Sequence, residues 1–309
     1  MERKYFFFDI DGTLAAGSAD LPVAERVPAS ALKALAELRA RGHFLALATG
    51  RLQVMAVDYL EQLGFDHMVA DGGYSLTVDH KLVDFQPIDR AAALDLIAEC
   101  DARGLPWAIS PANDPFRHAP DGRFAACVDE NYMPTRVFPG LDPASFERIY
   151  KVYVACPPGT EDTLVALKRL QWCRYTPGYI FVEPCEKAVG IRKMVEMVGG
   201  NVKDVVVFGD ARNDLSMFVP EWTSIAMGNA VPELKARATY VTDPVDRDGL
   251  YNACRHFGWI CRPRSVHRPG GRLRRTRPAA RRTTAQGVSR PIVRGGDVLR
   301  HRNSRIQRR

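Results

Sequence analysis

The sequence predicts an α/β fold: a parallel-sheet core at 1–75 and 186–261, an α+β insert at 76–185, and a disordered Arg-rich tail at 262–309. Three observations carry this reading. Apolar runs of strand length alternate with helix-patterned segments at both ends of the body, the rhythm of right-handed β-α-β units. That rhythm breaks near residue 75 and resumes near 186. The charge is also divided. The formal net charge of +7 hides 16 Arg, no Lys and one acid from Arg262 onward, against 27 basic and 35 acidic residues before it. An acidic globular body thus precedes a basic tail.

The elements follow in order. "KYFFFDI" (4–10) is an almost continuous apolar run, as in a strand buried on both faces. "PASALKALAELRARG" (28–42) has helical spacing, with Leu32, Leu35 and Leu38 on one face, Pro28 at its start and Gly42 at its end. "HFLALATGR" (43–51) reads as a second buried strand, "LQVMAVDYLEQLG" (52–64) as a helix and "HMVADGG" (67–73) as a third strand. The insert begins with a hairpin, "YSLTVDHKLVDFQPI" (74–88), and a helix, "DRAAALDLIAECDARG" (89–104). Strand candidates "PWAIS", "RFAACV" and "IYKVYVAC" follow, then a helix "GTEDTLVALKRL" (159–170) and strands within "CRYTPGYIFVEPC" (173–185). The alternation returns with helix "KAVGIRKMVEMVG" (187–199), strand "DVVVFGD" (204–210), a helix start at "ARNDLSMFVP" and strand "TSIAMG". A helix and last strand in "AVPELKARATYVT" and a closing helix "DGLYNACRHFG" complete the body. The tail, rich in Arg, Pro, Gly, Thr and Ser, has too few large apolar residues to offset its ordering entropy.

The apolar fraction of 46% suffices for a core. No run approaches the roughly 18 apolar residues of a membrane span. The apolar run near the N-terminus is short and broken by Asp9, unlike a signal peptide. The seven cysteines are odd in number, widely spaced and without CxxC, so reduced thiols are expected rather than disulfides or a zinc cluster. A cytoplasmic protein is the expectation.

In open parallel sheets, ligands bind beyond the carboxyl ends of the strands. The first strand delivers Asp9 and Asp11 there, the second Thr49, Gly50 and Arg51, and "VVVFGDARND" Asp210, Asn213 and Asp214. Four carboxylates in one crevice repel, so a cation is required. A hard oxygen donor set without His or Cys suits Mg2+ rather than zinc. A phosphoryl group fits between such a metal and a lysine, for which Lys187 is best placed, with the Thr49 hydroxyl and nearby amides donating to its oxygens. One aspartate can then attack phosphorus while the other moves protons. Arg51 reads either as substrate-facing or as a solvated helix-start residue and is left out of the expected site.

"DIDGTL" (9–14), "ATGR" (48–51), Lys187 and "GDARND" (209–214), in this order, resemble the four motifs of the haloacid dehalogenase-like phosphatases. The insert's position, "EKAVGIRKM" (186–194) and "AMGNAVPELKARATYVT" with a later "DGL" (226–250) resemble the Cof-type, or IIB, subfamily. The resemblance implies a Rossmann-like core under a C2-type cap that closes over the crevice. It implies Asp9 as nucleophile, Asp11 as general acid and base, and Thr49, Gly50, Lys187 and Asn213 as phosphate ligands. It implies Mg2+ held by Asp9, the Asp11 carbonyl and Asp210, with Asp214 supporting the metal's water shell. "DGG" (71–73) departs from the Asn-Gly-Ala often found there, leaving the role of Asp71 open. Arg117, His118, Arg123 and Tyr132 are candidates for substrate contacts in the cap.

The expected activity is Mg2+-dependent hydrolysis of a small phosphorylated metabolite, a sugar phosphate by resemblance. A phosphotransferase such as a hexose-phosphate mutase on the same core is the alternative. The tail could bind nucleic acid by counterion release, but its composition is also that of GC-rich DNA read out of frame, and nucleic acid is not the expected partner.

Overall fold

A computed structural model describes residues 2–17, 21–130 and 132–261; the tail expected to be disordered lies outside them. Eight strands form one sheet: β1 (Tyr5–Phe8), β2 (Phe44–Ala48), β3 (His67–Ala70), β4 (Ser75–Val78), β5 (Lys81–Phe85), and, far later, β12 (Val205–Gly209), β13 (Thr223–Ala226) and β14 (Tyr240–Val241). Their spatial order is β14-β13-β12-β1-β2-β3-β4-β5. All pairs from β14 to β3 are parallel. The strand of consecutive phenylalanines lies inside the sheet, between β2 and β12. Phe6 and Phe8 point into the cluster under α2 (Ala29–Ala40), α3 (Gln53–Gln62) and the closing helix (Gly249–His256), whereas Tyr5 and Phe7 point to the opposite face. Side chains alternate across a strand, so a continuous apolar run is required when both faces are covered. Each ring fully removed from water contributes roughly 1.5–3 kcal/mol.

A second sheet comprises β6 (Trp107–Ser110), β7 (Arg117–Ala119), β8 (Thr135–Val137), β9 (Lys151–Ala155), β10 (Trp172–Thr176) and β11 (Tyr179–Val182), in the order β10-β11-β9-β6-β7-β8. Its pairs are antiparallel except β7–β8. Helix α4 (Arg90–Ala102) covers one face with Ala93, Leu96, Ile97 and Cys100. The other face is aromatic, built on Phe124, Tyr153, Tyr179 and Phe181.

Several local expectations are corrected. The hairpin expected in the insert from residue 76 instead extends the first sheet, β4 and β5 pairing antiparallel beside β3. The reversal is made by Gly72 and Gly73 at φ +60 and +112, and it covers an edge that would otherwise be open. "RFAACV" is not a strand. Arg123–Cys127 forms one helical turn, α5, started by the Asp121 carboxylate accepting from the Arg123 amide at 2.9 Å, and only Phe124 is buried. The helix expected at 159–170 is two 3-10 turns, because Glu99 takes the amides of Val165 and Ala166 at 3.0 and 2.9 Å. In α2 the buried face is Ala31, Ala34, Leu35 and Leu38, while Leu32 is exposed.

The chain returns to the first sheet through α6 (Lys187–Met197), whose first residue points into the crevice. Gly190 sets how closely α6 approaches β3. A Cβ there would lie 2.6 Å from Val69 Cγ1 and 2.7 Å from the Gly73 carbonyl oxygen. Gly190→Ala adds helix propensity of about 1 kcal/mol but overpacks this contact, at a cost of roughly 1–3 kcal/mol or more because the obstacle is backbone. We expect a lower urea midpoint for Gly190→Ala by equilibrium unfolding; a raised midpoint would show that α6 can move away freely.

Candidate active site

The carboxyl ends of β1, β2 and β12 meet the N-terminus of α6. The Lys187 ammonium, fully buried, donates to Asp9 Oδ1 and Asp214 Oδ1, both at 2.6 Å. The other oxygen of Asp214 accepts the amides of Asp210 and Ala211 at 2.8 and 3.0 Å, so both its oxygens are engaged. Asp210 accepts from the Thr13 hydroxyl at 2.9 Å. Gly12, at φ +86, could not be replaced: a Cβ there would stand 2.1 Å from Asp210 Oδ2. One carboxylate oxygen each from Asp9, Asp210 and Asp214 lies within 4.8 Å of the others.

The electrostatics are those of crowded like charge. Burial and the neighbouring Asp214 push the Asp9 carboxyl well above the usual range, against the pull of Lys187. Burial and Asp214 also push Asp210 up to about 7. Burial alone would lower the Lys187 pKa, but Asp214 and Asp9 outweigh it and hold the ammonium charged. When all three carboxylates are ionised, one ammonium leaves two negative charges over, a deficit that a divalent cation could offset. Asp9 and Asp210 have oxygens left for direct ligation, and oxygen donors of this kind suit a hard cation.

Asp11 faces a different environment. Arg51 Nε and Nη2 donate to its two oxygens at 2.7 and 2.9 Å, a bidentate pair, and Arg26 Nη2 adds a third bond at 2.7 Å. Burial works to raise the Asp11 pKa, but the Arg51 and Arg26 bonds overcome it, and the carboxyl stays below its usual range. Arg26 ends the short helix α1 (Val23–Arg26) and also donates to the Tyr59 hydroxyl. Arg51 lies over the rings of Tyr59 and Tyr132, at 5.1 and 5.5 Å.

A cavity of about 380 Å³ opens above these residues. Of the expected site, Asp9, Asp11, Thr49, Gly50 and Asn213 line it, whereas Lys187, Asp210 and Asp214 are set behind. Lys187, expected among the phosphate ligands, lies between two carboxylates. The Thr49 hydroxyl accepts the Arg51 amide at 3.1 Å, which leaves its own O–H free to donate into the cavity. Gly50 leaves room for Asn213, whose amide nitrogen would lie 3.2 Å from a Cβ at that position. Of the cap candidates Tyr132 lines the cavity. Arg117 is buried among the rings of Phe124, Tyr132, Tyr153 and Tyr179, His118 pairs with Asp114, and Arg123 pairs with Asp121.

The lining includes four residues not anticipated from the sequence, Arg26, Tyr175, Phe181 and Glu183, together with Arg51, read from the sequence as either substrate-facing or solvated and here buried at the cavity. Behind Glu183, buried Lys151 of β9 donates to its carboxylate at 2.5 Å and to the Gly50 carbonyl at 2.7 Å. A lysine opening an apolar strand, as in "KVYVA", was the available signal for that pair, since a buried charge requires a partner.

With this geometry in view, the comparisons are specific. Residues 6–254 match the family of haloacid dehalogenase-like hydrolases. The chain is 30% identical over 270 residues to the Bacillus subtilis protein YkrA, covering 84% of this chain and 100% of that protein. A structure from Geobacillus kaustophilus HTA426 is 31% identical with a TM-score of 0.72, over 84% of this chain and 100% of that one. The structure of BT4131, a subclass IIB sugar phosphatase, is 26% identical with a TM-score of 0.69, over 83% of this chain and 100% of that one. The chain belongs to the haloacid dehalogenase-like hydrolases, in their Cof-type branch.

Asp71 sits at the joint beneath the cavity, at φ +51, accepting the Gln53 amide at 3.1 Å and lying 3.9 Å from Lys151. Burial pushes its pKa up to about 6, against the pull of Lys151. An acid whose pKa is raised on folding costs no stability below its unfolded value near 4, and costs increasingly as pH rises through 6. Asp71→Asn keeps the acceptor and tolerates the backbone conformation. It is expected to raise stability at pH 8 by up to about 3 kcal/mol, with the gain shrinking between pH 6 and 4. Denaturant melts at pH 4.5 and 8 check this; an equal gain at both, or a loss at pH 8, would contradict it.

Proposed function

We propose that the protein is a Mg2+-dependent phosphatase that hydrolyses a small phosphomonoester through an aspartyl-phosphate at Asp9. The observation that carries this is the pairing of environments at the cavity floor. Asp9 presents a carboxylate with one oxygen pinned by Lys187, and Asp11, two residues on, lies against the same cavity in a different electrostatic setting. The family membership and the likeness to a sugar phosphatase support the same reading.

In this mechanism the free oxygen of Asp9 attacks phosphorus. The P–O bond to the alcohol breaks, and Asp11 gives the leaving oxygen its proton. Asp11 then takes a proton from water, which attacks the aspartyl-phosphate and frees phosphate. The arginine-bound Asp11 seen here is ionised, the form that accepts the proton in the second half; for the first half it must leave the two guanidinium groups and take up a proton. The Thr49 hydroxyl, the Gly50 loop and the Asn213 amide hold phosphoryl oxygens, while Lys187 keeps Asp9 oriented and its charge favours the ionised form. Asp9, the Asp11 carbonyl and Asp210 would hold Mg2+, and Asp214, already saturated, would act through bound water. When bound, Mg2+ supplies the positive charge that the carboxylates and the phosphoryl oxygens lack.

A cytoplasmic setting belongs to the same proposal. The seven cysteines are all free, as in a reducing compartment, and no helix among the described residues is long and apolar enough to cross a membrane.

Asp9→Asn should fold, judged by its circular dichroism and melting temperature, yet lose at least about a thousandfold in hydrolysis of 4-nitrophenyl phosphate with Mg2+. Chelation with EDTA should silence the wild type, and excess Mg2+ restore it. Wild-type rates in Asp9→Asn would refute the nucleophile. Release of free phosphate, rather than an isomerised ester, separates hydrolysis from the mutase alternative.

A further inference from the structure

We propose that the alcohol half of the substrate carries a flat aromatic or heteroaromatic ring, received by Tyr132, Tyr175 and Phe181 and oriented by a hydrogen bond to Glu183. This rests on the phosphatase reading above and specifies what it acts on. The cavity has two unlike ends. The floor, from the first sheet, is charged. The wall contributed by residues 132–183 consists, among the described residues, of three aromatic rings and one carboxylate.

The rings are arranged around Phe181. Tyr175 meets it at 4.9 Å and 75°, and Tyr132 at 6.0 Å and 65°, both edge-to-face. Such a cluster presents ring faces and edges to a further flat group, the geometry aromatic pairs prefer. Tyr175 is 45% exposed although it lines the cavity, so it offers a large apolar surface for a ligand to cover.

The polar complement of this wall is small. Glu183 accepts the Tyr175 hydroxyl at 2.7 Å and Lys151 at 2.5 Å. A carboxylate has lone pairs for about four bonds, so it can take one or two more donors, such as a ring N–H or O–H. The Tyr175 hydroxyl already gives its proton to Glu183, so it remains only as an acceptor. A polyol placed against this wall would bury several hydroxyls with few partners, and each unpaired group costs affinity. A ring carrying one donor satisfies the wall without that cost.

The test uses three esters of primary alcohols, so that the leaving oxygen is alike: benzyl phosphate, cyclohexylmethyl phosphate and glucose 6-phosphate. With Mg2+, the wild type should show kcat/KM for benzyl phosphate at least about tenfold above both others. In Tyr175→Leu, and independently in Phe181→Leu, the benzyl to cyclohexylmethyl ratio should fall toward one. Hydrolysis of all three with glucose 6-phosphate preferred, or a wild-type ratio near one, overturns the ring while leaving the phosphatase standing. A ratio unchanged in both folded variants overturns the assignment to these side chains. No hydrolysis of any of the three, or of 4-nitrophenyl phosphate, by folded protein overturns the phosphatase and this inference with it. Should neither variant fold, the wild-type ratio alone decides.

Discussion

A single buried ammonium organises the crevice. Lys187 is fully buried, bridging Asp9 at the end of β1 and Asp214 just after β12. Removing one partner of a buried ion pair leaves an uncompensated charge and costs about 3–5 kcal/mol, so the three positions constrain one another. Lys187 also opens α6, where the helix dipole disfavours a cation, and the two carboxylates offset this. The strand ends, the turn after β12 and the start of α6 are therefore fixed relative to one another by charge, and the close approach at Gly190 fixes the helix behind them by shape.

A second buried lysine joins the sheets. Lys151, from the second sheet, donates to the Gly50 carbonyl in the loop after β2 and to Glu183 in the segment leading back to α6. Asn113 and Gln53 make a parallel link, with Asn113 Nδ2 donating to Gln53 Oε1 at 2.7 Å and the Val54 amide donating to Asn113 Oδ1 at 3.0 Å. These contacts end on Gly50, in the loop that follows β2, and on Gln53 and Val54, which open α3 directly after it.

Much of this was legible in the sequence where residue type and spacing carry chemistry. Three phenylalanines running into Asp9 and Asp11 require a strand covered on both faces and a cation at its end, and both the buried strand and the acidic cluster follow. The hidden parts depend on contacts between segments far apart. Arg26 ends a one-turn helix too short to leave a sequence pattern, and its meeting with Asp11 is set by how α1 folds back. Arg51 stood beside a recognised motif but could equally have faced solvent. Leu32 fits a helical stripe, yet the buried face of α2 runs through Ala31, Ala34, Leu35 and Leu38 and leaves Leu32 outside it. Cys173 and Cys185, distant enough in sequence to look unrelated, bring their sulfurs to 3.0 Å across the β10–β11 hairpin and its exit.

The placement of β1 also has a consequence for how the chain is made. Tyr5 pairs with Phe44 on one side and with Val205 on the other. The first partner is synthesised soon after β1, the second some 160 residues later, which at ordinary elongation rates is roughly ten to thirty seconds. Throughout that interval β1 is an edge, and for most of it Asp9 also waits for Lys187. Non-local pairing of this kind is slow even for the complete chain. The strand that carries Asp9 to the crevice is therefore the one that waits longest for its second neighbour, and an unpaired apolar edge of this kind invites misassociation.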